Sequence, residues 1–144
     1  MSNAVEQHIL NWISDISVKH SELGGFSVCP FAKKAIYEVV ETTGVVEPIG
    51  NDFELIIYVL PNSFSFEKLE TLAQDRNKKY PNLVFLPDGK DRYTHINGIQ
   101  TNNGKYNLLL CQPREKLQAG RDKLAKTLYY SFWSKDYLEE ILKQ

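Results

Sequence analysis

Residues 53–60 read FELIIYVL and end in an unbroken apolar run from Leu55 to Leu60. A strand with one wet face would alternate apolar and polar residues, and a surface helix would show a single apolar stripe. A short continuous run rich in β-formers therefore predicts a strand covered on both faces. That requirement constrains the rest of the chain, because something apolar must lie above the strand and something apolar below it.

Amphipathic segments on either side of the run can supply that cover. Val5, Ile9, Trp12, Ile13 and Ile16 recur at helical spacing and predict a first helix over roughly residues 4–20, ended by Gly24-Gly25. Pro30 suits the first position of a second helix, with Ala32, Ala35, Ile36, Val39 and Val40 as its buried stripe. Ser65 can cap a third, with Phe66, Leu69, Leu72, Ala73 and Tyr80 inward and Pro81 as its stop. Pro113 opens a last long helix carrying Leu117, Leu124, Leu128 and Phe132, with a break near Ser134 before Leu138 and Ile141.

Further strands are expected around the central one. Thr43–Ile49 reads as a short edge strand interrupted by Pro48. Leu83–Leu86 is a second apolar strand, closed by the turn Pro87-Asp88-Gly89. Asn103-Gly104 predicts a hairpin pairing Ile96–Thr101 with Lys105–Leu110. The expected fold is α+β: a single domain over residues 1–144, with a mixed sheet of four to five strands packed with N- and C-terminal helices.

Composition narrows the function classes. Seventeen basic residues against eighteen acidic ones leave a net charge of −1, without the basic excess of a dedicated nucleic-acid binder. No apolar run is long enough to span a bilayer, and MSNAVEQHIL has no secretory leader pattern, so a cytoplasmic protein is expected. Three scattered histidines and two distant cysteines make no zinc pattern, so no metal site is expected, and no cofactor is identified.

The chemical signal lies at GFSVCPFAKKA, residues 25–35. With Pro30 first in its helix, Cys29 becomes the N-cap, beside unsatisfied N–H groups and the positive end of the helix dipole. Such settings lower a thiol from about 8.5 to between about 3.5 and 7.5. Cys29 then acts as a nucleophile or redox thiol, with Lys33 and Lys34 adding positive charge. The plainer reading is a buried, structural cysteine, which is common for this residue type.

Two resemblances rest on these residues. CPFA at 29–32 resembles the Cys-Pro-Phe-Ala segment of omega-class glutathione transferases, and more loosely the Cys-Pro-x-Cys of glutaredoxins. That likeness implies a thioredoxin-like α/β alternative, with Cys29 after a central strand and Pro81 in the place of a cis-proline. A broader resemblance is to a bacterial domain-of-unknown-function family with a Leu-Cys-Pro-Phe-Ala motif after a tryptophan-bearing helix. Trp12, Val28-Cys29-Pro30-Phe31-Ala32, Leu60-Pro61, Phe85-Leu86-Pro87-Asp88, Tyr93-Thr94 and Arg114-Glu115 carry it. It implies a shared fold and site, and no reaction.

The remaining polar candidates are Asp88 and Arg114, at or beyond strand ends, together with Arg92 and His95. As one pocket they would hold a small anionic substrate, with Cys29 as nucleophile, His95 as its base, and Arg92, Arg114, Asp88 and Lys33 binding. The plainer readings are a turn residue for Asp88, a solvated first-turn residue for Arg114 and a half-buried surface residue for His95. A competing expectation is a non-enzymatic module whose aromatic C-terminal segment, Tyr129-Tyr130 and Phe132-Trp133, meets a protein partner.

Overall fold

The computed structural model of the chain describes residues 3–17, 19–20, 26–27, 36–48, 52–91, 95–96 and 99–125. In chain order these form α1 (Asn3–Ile16), β1 (Lys19–His20), β2 (Phe26–Ser27), β3 (Tyr37–Glu41), β4 (Leu55–Leu60) and α2 (Phe66–Lys79). Then follow β5 (Leu83–Asp88), β6 (His95–Ile96), β7 (Ile99–Gln100), β8 (Asn107–Pro113) and α3 (Arg114–Ala125). The fold is α+β, with a mixed sheet ordered β3-β4-β8-β5. β3 runs parallel to β4, and β8 is antiparallel to both its neighbours, so β3, β4 and β5 all point the same way.

The unbroken run is explained by the two layers that cover it. Ile56, Tyr58 and Leu60 face α2, packing with Leu69, Ala73, Phe85 and Leu109. Ile57 and Val59 face α1, packing with Val5, Ile9, Ile13 and Leu108. Successive strand residues point to opposite faces, so a strand buried on both needs apolar residues throughout. Ser65 caps α2 as expected, its side chain accepting from the Lys68 N–H at 3.1 Å.

Three expected elements take a different form. The second helix does not extend over residues 37–41, which form β3, and Ile36 is 75% exposed rather than buried. Val39 packs toward α1 and Val40 toward α2, so the adjacent valines serve two faces, as only a strand permits. The Thr43–Ile49 strand is replaced, over its described part, by a loop pinned to α2. Val46 is buried, and the Glu47 carboxylate takes bonds from Arg76 (2.7 Å), Lys79 (3.0 Å) and the Tyr80 hydroxyl. The third is the Asn103-Gly104 hairpin. β8 lies between β4 and β5 with both edges occupied, and the short β6 and β7 pair with each other instead.

β5 also runs further than expected, because Pro87 and Asp88 still pair with Leu109 and Leu108. It is an edge strand whose outer backbone groups are claimed by side chains. Asn77 donates to the Phe85 carbonyl at 3.1 Å and accepts from its N–H at 2.8 Å. Pro87, two residues on, has no N–H to leave unpaired. An edge closed this way offers no template for another strand.

Candidate functional site

Two polar constellations flank β5, one at each end. The carboxyl end carries Asp88, the last residue of the strand. Asp88 Oδ1 accepts from the Asn103 backbone N–H at 3.1 Å and from the Asn103 side-chain amide. The same amide donates to the Tyr106 carbonyl at 3.0 Å. With its nitrogen so committed, the Asn103 oxygen must accept, and it does so from Lys105 N–H at 3.0 Å and Tyr106 N–H at 2.8 Å. His8 Nε2, 3.3 Å from that oxygen, is therefore the protonated nitrogen. The imidazole also meets the Tyr106 ring edge to face, with centroids 5.1 Å apart.

Burial raises the Asp88 carboxyl to about 6, opposed by the Asn103 bonds, which favour its charged form. Asn107, fully buried at the start of β8, is used just as completely. It donates to the carbonyls of Pro61 (3.1 Å) and Phe64 (3.0 Å) and accepts from Lys90 N–H (3.0 Å). Gly104 turns the chain with φ 75°, a conformation that favours glycine.

Along β5, from Arg114 beside its amino end to Pro87, runs a groove of about 220 Å³. One wall is α2, with Glu70, Ala73, Gln74 and Asn77; the other is residues 84–87, and Arg114 closes one end. Glu70, Gln74 and Asn77 fall on one stripe because residues three and four apart share a helix face. Arg114 follows Pro113, which pairs with Leu83, so it stands beside the start of β5. Its Nε donates to the Pro81 carbonyl at 3.1 Å, and one Nη reaches the Leu83 carbonyl at 3.4 Å. Among the described residues the other Nη has no partner. The guanidinium is thus oriented by backbone while one side of its fork stays open, a geometry suited to a carboxylate or phosphate.

Asp88 and Arg114, expected to share a pocket, thus sit at opposite ends of β5, separated by about 16 Å of strand. Asp88 is a strand residue bonded to Asn103, rather than the turn residue of the plainer reading. His95 is placed by its backbone in β6, opposite Gln100. Cys29, Lys33, Arg92 and the aromatic positions 129–133 lie outside the described residues. Ser27, two residues before Cys29, belongs to β2, which pairs with β1 and not with the four-stranded sheet. The described backbone contains no cis peptide bond. Neither feature matches the arrangement implied by the thioredoxin-like alternative.

Glu70, Gln74, Asn77 and Asn103 carry no motif that marks them as site residues in the sequence. The polar stripe on α2 was detectable by its spacing. Asn103 was visible only as a turn residue. The other cysteine, Cys111, is fully buried in the core, and burial pushes its thiol up to about 12. Among the described residues no three His, Cys, Asp or Glu side chains converge as metal ligands, and no helix is long and apolar enough to cross a membrane. The chain matches no family model, no curated protein and no solved structure.

Proposed function

We propose that the protein binds a small anionic molecule in the groove between α2 and the edge of β5, with Arg114 as the anion-binding group. One observation carries this reading: the Arg114 guanidinium is fixed by the carbonyls of Pro81 and Leu83 while part of its fork remains open beside a cavity. A preoriented guanidinium loses little conformational freedom when it grips a carboxylate or phosphate. The test is a titration with acetate, succinate and inorganic phosphate, followed by amide NMR. Shifts centred on Asn77, Phe85 and Arg114, and lost in Arg114→Ala, are expected. Shifts that persist unchanged in Arg114→Ala overturn the assignment.

A second reading adds catalysis: Cys29 as nucleophile toward that anion, within the Cys-Pro-Phe-Ala family that the motif resembles, with His95 as base and Lys33 and Arg92 around the substrate, and with Asp88 left out because it lies at the other end of β5. The burial of Cys111 favours the single-thiol form, since a thiol held near 12 is neither ionised nor reachable at neutral pH. Iodoacetamide at pH 7 should then label Cys29 quickly and Cys111 hardly at all. Slow labelling at both positions leaves the non-enzymatic binding module.

A further inference from the structure

The groove contains a second charge that anion binding alone does not use. Glu70 stands on α2 two turns before Asn77, about 10 Å along the helix axis. It makes no hydrogen bond or ion pair with any described residue, and neither does Gln74 beside it. Arg114 lies at the other end of the same groove, where it is tied to Pro81 and Leu83. Opposite charges are therefore held apart across a partly apolar channel walled by Ala73, Phe85 and Pro87.

Resting on the anion-binding reading above, we infer that the groove takes a short dipolar ligand: a peptide of about three residues with free termini, its carboxylate on Arg114 and its ammonium on Glu70. Length decides the class. The Arg114 guanidinium is anchored at Leu83 and Asn77 at Phe85, so the guanidinium and the Glu70 backbone are on the order of 15 Å apart. The glutamate side chain shortens that gap to about 10 Å, which three extended residues span. A single amino acid, whose two charges sit a few ångströms apart, cannot engage both ends at once.

The closed edge excludes an occupant that pairs with β5 as a strand. A peptide that added itself to β5 as a strand would need the outer N–H and C=O of Phe85, and Asn77 holds both. Pro87 offers no N–H further along. Recognition therefore falls to the two termini, with Gln74 available to a backbone amide between them. The middle residue should matter little.

Calorimetric titration at pH 7 with trialanine, N-acetyl-trialanine, trialanine amide and free alanine tests this. Trialanine should bind at least tenfold more tightly than the other three. Glu70→Gln, an exposed substitution that leaves the fold intact, should bring trialanine down to the level of its acetylated form. Arg114→Ala should remove the difference between trialanine and its amide. If N-acetyl-trialanine binds as well as trialanine, and Glu70→Gln changes nothing while Arg114→Ala abolishes binding, the dipolar inference is overturned and the anion site stands. If Arg114→Ala leaves every affinity unchanged, both are overturned.

Discussion

Asn103 and Arg114 occupy equivalent places at opposite ends of β5, and they use their hydrogen-bonding capacity in opposite ways. The Asn103 amide is spent on its own loop, on Asp88 and on His8. Arg114 touches two carbonyls and retains an unused edge toward a cavity. A polar group whose bonding capacity is used up internally fastens the fold. One that is held in place but incompletely used is prepared for a ligand. Asp88 belongs with the fasteners, although its raised pKa alone would mark it as a functional candidate.

The contrast breaks most visibly at Asn103. Asn103→Ala strips partners from Asp88 Oδ1, the Tyr106 N–H and carbonyl, and the Lys105 N–H at once. Unsatisfied buried groups of this kind cost about 1–3 kcal/mol each, so a loss of about 4 kcal/mol in urea unfolding is expected. A loss under 1 kcal/mol places Asn103 outside the fastener class.

Asp88 gives a smaller effect with a defined pH window. Its folded value of about 6 exceeds the usual 3.8, so its contribution is complete below about pH 4 and is lost as pH rises through 6. Wild type should therefore lose about 2 kcal/mol relative to Asp88→Asn between pH 4 and pH 7.5. Parallel stability curves for the two proteins contradict the assignment. Glu47 has the opposite sign. Held at about 2, chiefly by the Tyr80 hydroxyl and Lys79, it contributes above pH 4.5 and loses that contribution as pH falls toward 2. Subtracting the mutant curve removes that background.

Asn77→Ala should cost about 1–2 kcal/mol through the two Phe85 bonds, and it reopens the β5 edge. Concentration-dependent association, seen by analytical ultracentrifugation in the variant only, would confirm that Asn77 is what closes this edge. Arg114→Ala should change stability least, by about 1 kcal/mol or less, while removing anion binding. A large loss of stability there, without a binding defect, would move Arg114 among the fasteners and dissolve the comparison.

Much of this architecture was legible in the chain. The run at 55–60 specified a strand covered on both faces, the period of α1 named its buried residues, and Ser65 and Pro81 bounded α2, because each is a local pattern with a local cause. Val39-Val40 misled for the same reason: two adjacent apolar residues fit a helical stripe and a doubly covered strand equally well. Arg114 is visible as a candidate from its position after an apolar strand, whereas nothing in the sequence separates it from Asp88, which structurally lies at the other end of β5.

What only the tertiary structure decided concerns pairings between distant segments. Nothing near Asn103-Gly104 shows that β8 will slot between β4 and β5, and that insertion removes the local hairpin by filling both of its edges. Because β8 runs antiparallel to β5, the residue after its end returns to the start of β5, which carries Arg114 away from Asp88. The apolar runs determined that a two-faced sheet would form, because burial depends on composition and period. Strand order and direction depend on which distant backbones exchange hydrogen bonds, and those bonds leave no mark on the identity of the residues that make them.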